Sequence, residues 1–115
     1  FRRVLFRSGA NPMGFVFNTS EGDFYYSGDT ALTLDMQLIP RWAKLKFAVL
    51  PIGDNFTMDV DDAIIAADFI QCNKIIGVHY DTFGFIVIDH EAAKEKFANA
   101  GKELILLNIG QTIEL

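Results

Sequence analysis

The apolar positions of the chain fall into short β-prone runs separated by stretches with helical spacing. Each run holds four to six residues and is bounded by turn-forming residues, which is typical of strands. The predicted strands cover residues 13–18, 24–27, 47–52, 74–78, 103–107 and 111–115. The runs at 47–52 and 74–78 are almost entirely apolar, which favours strands buried on both faces. The first two runs flank Gly22 and its polar neighbours and predict an antiparallel hairpin.

Three stretches between these runs have helical patterns. The predicted helices cover residues 31–43, 59–72 and 89–99. The first places Leu32, Met36 and Ile39 on one face and is broken or kinked by Pro40. Asp89 is expected to cap the last. Because helices alternate with apolar strands, the sequence predicts an α/β domain with a mixed sheet and flanking helices.

The length, charge and cysteine content of the chain exclude several classes of function. The chain has 115 residues, the length of one domain or a piece of one. Its formal net charge of −5 opposes non-specific binding to nucleic acid or to an anionic membrane surface, and no apolar run reaches the roughly 18 residues of a membrane helix. The single Cys72 excludes an internal disulfide framework and is expected to be a buried or semi-buried structural residue.

The first eight residues differ from the remainder of the chain. The chain opens with Phe1, and residues 1–8 carry three of its four arginines without any periodic pattern. Excluding them leaves seven basic residues against fifteen acidic ones, so the body is more acidic than the total suggests. We interpret residues 1–8 as an extraneous tail and residues 9–115 as the domain portion, of a chain that begins mid-protein.

Two polar residues directly follow predicted strands and are candidates for chemistry. Asp29 comes after the run at 24–27, and His79 after the run at 74–78. Since ligands gather outside the carboxyl ends of strands in α/β sheets, these two loops could converge on a metal ion. The alternatives are structural: Asp29 can be a turn or N-cap residue, and His79 can bond to backbone. His90, in the first turn of a predicted helix, is expected to be a surface residue.

Four short motifs, taken together and in their order along the chain, indicate a family more specifically than any one of them does alone. They are Pro12-Met13-Gly14-Phe15, Tyr26-Ser27-Gly28-Asp29-Thr30, the segment LPIGDNFTM at 50–58, and His79-Tyr80-Asp81-Thr82-Phe83. Over about residues 11–115, this order closely resembles the metallo-β-lactamase-fold hydrolases, in the branch called UPF0173 metal-dependent hydrolases. The GDT segment is common to the wider superfamily, whereas LPIGDNFTM is more particular to this branch.

The resemblance implies an αββα sandwich with two metal ions at one edge. Asp29 corresponds to the carboxylate that bridges both metals and His79 to the last histidine; Thr30, Asp54, Asn55 and Thr82 would lie at the rim without a catalytic role. The implied chemistry is attack of a metal-bound hydroxide on an ester, amide or phosphoester. The metal is expected to be zinc, with manganese or iron as alternatives.

The departures from the family pattern are equally informative. The H-x-H-x-D-H motif is missing, and the chain has only two histidines. A hairpin-first start matches the C-terminal half of the fold. The chain is therefore expected to be a fragment that binds metal weakly and hydrolyses little, while its parent protein is the enzyme. The competing hypothesis is a non-catalytic, degenerate half-domain that serves as a binding or structural module.

Further expectations concern partners and location. The expected partner is a small-molecule substrate of the parent, with no nucleic acid and no membrane. Half of a sandwich leaves one sheet face without its partner, so self-association is expected. Without a visible targeting signal, the default location is the cytoplasm.

Overall fold

The computed structural model describes residues 2–6, 14–53, 57–78, 89–107 and 110–115. The described strands form one six-stranded mixed sheet whose spatial order follows the chain. They are β1 (Arg2–Phe6), β2 (Gly14–Phe17), β3 (Asp23–Tyr26), β4 (Leu45–Pro51), β5 (Lys74–Val78) and β6 (Glu103–Ile105). The pairs β1–β2 and β2–β3 are antiparallel, and the pairs from β3 to β6 are parallel. The predicted hairpin and the predicted mixed sheet are therefore confirmed.

Three helices connect the parallel strands. A 3-10 helix covers Leu34–Arg41, α1 covers Val60–Phe69 and α2 covers His90–Asn99. Asp59 and Asp89 are the N-caps of the two α-helices, and their side chains accept hydrogen bonds from the amides of Asp62 and Ala92. Such caps satisfy amide groups that have no partner within the helix. None of the described helices combines the length and the apolar character that crossing a membrane requires.

The hydrophobic core lies on one face of the sheet. Val16, Tyr25, Ala48, Leu50 and Ile75 alternate into this face and are almost fully buried. The helices cover it with these buried residues: Met36, Ile39, Ala63, Ala66, Ala67, Ala93 and Phe97. Small alanines on α1 let the helix approach the strands closely. Cys72 belongs to the same core and is 2% exposed, which confirms its predicted structural role.

The second face of the sheet carries a row of aromatic rings. Phe17, Phe24 and Phe47 lie opposite one another on β2, β3 and β4, and their ring centroids are 4.7 and 4.8 Å apart. We call these three residues the aromatic row. They are only partly buried and lie outside the core cluster, and Tyr26 on the same face is 43% exposed. This face therefore keeps apolar surface accessible to solvent.

Two predicted elements are wrong in part or whole. The helix predicted at 31–43 is a shorter 3-10 helix, because residues 31–33 are not helical and Pro40 cannot donate a backbone hydrogen bond. The strand predicted at 111–115 does not form, although its residues alternate in polarity. A β-prone segment forms a strand only where a neighbouring strand is available for pairing.

The segment interpreted as a tail is partly ordered in the sheet. Arg2–Phe6 forms β1 and pairs with β2, with Arg2 opposite Phe17. This pairing does not decide whether residues 1–8 are native, and their assignment as an extraneous tail stays a prediction. Residues 85–88, a short apolar stretch of the sequence, lie outside the described residues.

Candidate functional site

Three parallel strands end side by side at one edge of the sheet. β3 ends at Tyr26, β4 at Pro51 and β5 at Val78, and β4 lies between the other two. We call this edge the carboxyl edge. Backbone hydrogen bonds continue just beyond the strands: the Ser27 amide donates to the Val49 carbonyl at 3.2 Å, and the Ile52 amide to the Val78 carbonyl at 3.0 Å. The segments that follow these three strands are thus held side by side, at the edge where open α/β sheets bind ligands.

Ser27 and Gly28 place Asp29 at this edge. Ser27 is 1% exposed and is the one buried polar residue among those that the structure describes. Its hydroxyl lies 3.0 Å from the Gly28 carbonyl oxygen and 3.3 Å from the Val49 carbonyl oxygen, so its single proton is shared between an acceptor in the turn and one on β4. Gly28 has φ of 69°, a left-handed conformation in which a side chain would be strained.

Asp29 itself lies in a bend and is exposed to solvent. The N-cap alternative for this residue is wrong, because the following helix begins at Leu34 with Thr33 in the N-cap position. Asp29 therefore does not cap that helix, and it lies three residues beyond the end of β3 at the carboxyl edge. A solvent-accessible carboxylate at this edge has the chemistry of a ligand for a divalent cation.

The second predicted ligand, His79, lies outside the described residues, as do the rim residues Asp54, Asn55 and Thr82. His79 directly follows β5 in the sequence, and β5 is two strands away from β3. Adjacent strands are about 4.8 Å apart, so the ends of β3 and β5 are separated by roughly 10 Å, a distance that two side chains can span. That Asp29 and His79 share a metal stays a prediction.

The described residues do not by themselves make a complete metal site. Among them, no three His, Cys, Asp or Glu side chains are close enough to hold a metal ion. Catalytic zinc takes three protein ligands, so Asp29 fits one ligand position and further ligands must come from elsewhere. His90 is exposed at the start of α2, as predicted.

Burial changes the chemistry of two groups in the core. Desolvation raises the pKa of the Tyr25 hydroxyl and of the Cys72 thiol, so both stay protonated at neutral pH. The Cys72 sulfur donates to the Lys74 carbonyl oxygen at 3.4 Å. Neither group is a candidate nucleophile, because the ionised form is the reactive one for both.

A cavity lies at the other end of the sheet. It is an open groove of about 500 Å³ at the amino ends of β4, β5 and β6. Since β4 has seven residues, this groove is roughly 20 Å from the carboxyl edge. The sequence analysis predicts neither the groove nor the structural role of Ser27. The groove depends on the order of the strands in the sheet, and a single serine in a β-prone run does not indicate that it holds a turn in place.

Comparison with known proteins confirms the resemblance read from the motifs. The chain is 64% identical over 107 residues to a UPF0173 metal-dependent hydrolase of Christiangramia forsetii, covering 93% of this chain and 47% of the relative. It is 60% identical over 107 residues to the UPF0173 metal-dependent hydrolase of Flavobacterium johnsoniae, covering 93% and 48%. The chain thus spans about half the length of the curated relatives it matches. No family model matches it.

Solved structures confirm the fold. Igni18, a metallo hydrolase from Ignicoccus hospitalis, superposes with a TM-score of 0.81 at 32% identity, over 89% of this chain and 45% of that one. The metallo-beta-lactamase fold protein YhfI from Bacillus subtilis gives a TM-score of 0.65 at 12% identity, over 83% and 40%, which shows likeness of fold alone. The α/β architecture is therefore that of part of a metallo-β-lactamase-fold domain.

Proposed function

We propose, from its homology to half of the UPF0173 metal-dependent hydrolases, that this chain supplies one side of a divalent-metal hydrolase site at the carboxyl edge. The observation that carries the proposal is the placement of Asp29. A buried serine and a left-handed glycine hold its turn against β4, and the carboxylate stays exposed.

In this proposal Asp29 contributes a carboxylate ligand, and His79 contributes an imidazole from the end of β5. A divalent metal bound there would supply hydroxide at neutral pH and polarise the scissile bond. Ser27 would keep the Asp29 turn fixed, so that the carboxylate needs little reorganisation to bind. Substrates would be small molecules with an ester, amide or phosphoester bond, and zinc would be the metal, with manganese or iron as alternatives. The cytoplasm is the proposed location, and nucleic acid and membranes are not proposed partners.

The 115-residue chain alone is proposed to be a poor enzyme. Its described residues contribute one ligand position where at least three are needed. The parent protein, about twice as long by comparison with the curated relatives, would supply the others. The same shortage of ligands favours a second candidate, a non-catalytic half-domain that acts as a binding or structural module.

Metal titration distinguishes these two candidates. The metal-free chain and its Asp29→Asn variant are titrated with zinc, and Asp35→Asn serves as the matched control, because Asp35 is also exposed but lies on the 3-10 helix. Weak zinc binding that Asp29→Asn lowers and Asp35→Asn leaves unchanged supports the hydrolase fragment. Equal behaviour of the two variants supports the non-catalytic module.

Activity provides the second test. Turnover of p-nitrophenyl acetate and of bis-p-nitrophenyl phosphate by the zinc-loaded chain is expected to stay near the rate of zinc in buffer. Robust turnover by the chain would overturn the proposal that most of the site is missing.

A further inference from the structure

The groove at the amino ends of β4, β5 and β6 collects positive charge in an acidic chain. Four of the six lysines line it, whereas only one of the fifteen acidic residues does. The lysines are Lys44, Lys46, Lys74 and Lys102. They come from three separate stretches of the sequence and meet because the parallel strands bring their amino ends to one edge of the sheet. We call this cavity the basic groove.

Three of these lysines keep their charge available. The charge of Lys102 is already neutralised by an ion pair, because its side chain is 6% exposed and its ammonium lies 2.5 Å from the Asp68 carboxylate. Among the described residues, none of the other three forms an ion pair, and the Lys46 ammonium contacts only the Glu21 backbone carbonyl at 3.5 Å. The carboxylate of Glu103 and the C-terminal ends of α1 and α2 offset part of this positive charge. A singly charged ligand would therefore gain little, and a multiply charged one more.

Most of the polar side chains that line the groove can donate hydrogen bonds. Gln71 and Asn73 add side-chain amides to the lysine ammonium groups, and both are exposed. Phosphate oxygens accept several such bonds, and lysine binds phosphate as a point charge. The lining contains no arginine for bidentate carboxylate recognition and no aromatic ring on which a base could stack. A volume of about 500 Å³ is within the range of small-molecule sites.

We propose that the basic groove binds a small compound carrying two or more phosphate groups, at a site separate from the carboxyl edge. The ligand contacts Lys44, Lys46 and Lys74 through its phosphates, and the amides of Gln71 and Asn73 donate to the remaining oxygens. Because the groove lies about 20 Å from Asp29, this binding does not involve the proposed metal ligands.

Inorganic triphosphate is the probe, titrated into the chain in EDTA while backbone amide shifts are followed by NMR. Shifts are expected at Lys46, Gln71, Asn73 and Lys74, with binding stronger for triphosphate than for orthophosphate and weaker as salt rises from about 0.01 to about 1 M. The Lys44→Gln/Lys74→Gln double variant should raise the dissociation constant by about tenfold, at a few-fold per charge. Lys94→Gln, at an exposed lysine of α2 outside the groove, should leave it unchanged.

The outcomes against the proposal are equally defined. Absence of shifts in the groove at millimolar triphosphate overturns it, and so does binding that Lys94→Gln weakens as much as the double variant. Shifts centred on Asp29 instead of the groove also contradict it. Since EDTA removes divalent metals, failure here leaves the proposed hydrolase function untouched.

Discussion

Removing the central ring of the aromatic row should destabilise the chain without disrupting its core. Phe24 stacks between Phe17 and Phe47 at centroid distances of 4.7 and 4.8 Å, with interplanar angles of 18° and 8°. Each such pair contributes about 0.5–1.5 kcal/mol beyond area burial. Two pairs are lost in Phe24→Ala, and the ring is only partly buried, so we expect the free energy of unfolding to fall by about 2 kcal/mol.

Phe97→Ala is the matched comparison on the other face of the sheet. Phe97 is 0% exposed between α2 and the strands, and truncating a fully buried Phe costs about 3–5 kcal/mol. Urea unfolding of both variants, at protein concentrations low enough to avoid association, measures the difference as a change in midpoint with an unchanged slope. A loss for Phe24→Ala as large as for Phe97→Ala would show that the second face is packed like a core. A loss below about 0.5 kcal/mol would show that the stacking contributes nothing.

Three further predictions concern single residues. Tyr26→Lys, at a 43% exposed position on the same face as the aromatic row, should reduce the self-association that is expected of half a sandwich; light scattering that shows a monomer for both forms would contradict this expectation. Ser27→Ala removes the hydroxyl that ties the Asp29 turn to β4 and should lower the free energy of unfolding by about 1 kcal/mol in a denaturant titration; no loss would refute the anchoring role. Burial raises the pKa of the Cys72 thiol above its ordinary 9.0, so the folded chain holds the proton more tightly than the unfolded chain. Stability should therefore be fully present below about pH 9 and fall as the pH rises through the folded pKa, and Cys72→Ala should flatten this alkaline slope in urea titrations; an unchanged slope would count against it.

The elements predicted correctly are those whose local signals agree with the tertiary structure. β4 and β5 form where the apolar runs predict strands, but the expectation that both of their faces are buried is wrong: buried residues alternate with partly buried ones, because the described helices cover only one face. α2 begins with the Asp89 cap and ends before Gly101 at φ 78°. In these segments, propensity, capping and burial all favour the same conformation.

The elements predicted wrongly lack that agreement. Residues 31–43 have helical spacing, but a proline near the end and an extended Thr33 leave only a 3-10 helix. Residues 111–115 have the alternation of a strand but no place in the described sheet. Whether a segment finds a strand to pair with depends on the tertiary structure, and the local sequence pattern does not specify this.

The candidate site was predictable only in its placement. A carboxylate after a β-prone run is expected at the carboxyl end of a strand, and Asp29 lies there. The anchoring by Ser27 depends on the parallel pairing of β3 with β4, which brings the Val49 carbonyl within reach. The basic groove likewise depends on strand order, because its lysines lie at the starts of three different strands.

The central claim is that Asp29 and His79 bind one cation together. Titration of the isotope-labelled chain with Mn²⁺ tests it most directly, because paramagnetic broadening detects even weak and transient binding at the nearest nuclei. We expect the side-chain resonances of Asp29 and His79 to broaden together at the lowest manganese concentrations, and Asp29→Asn to abolish the effect at His79. Broadening of either residue without the other, or broadening at His79 that survives Asp29→Asn, would contradict a shared metal site.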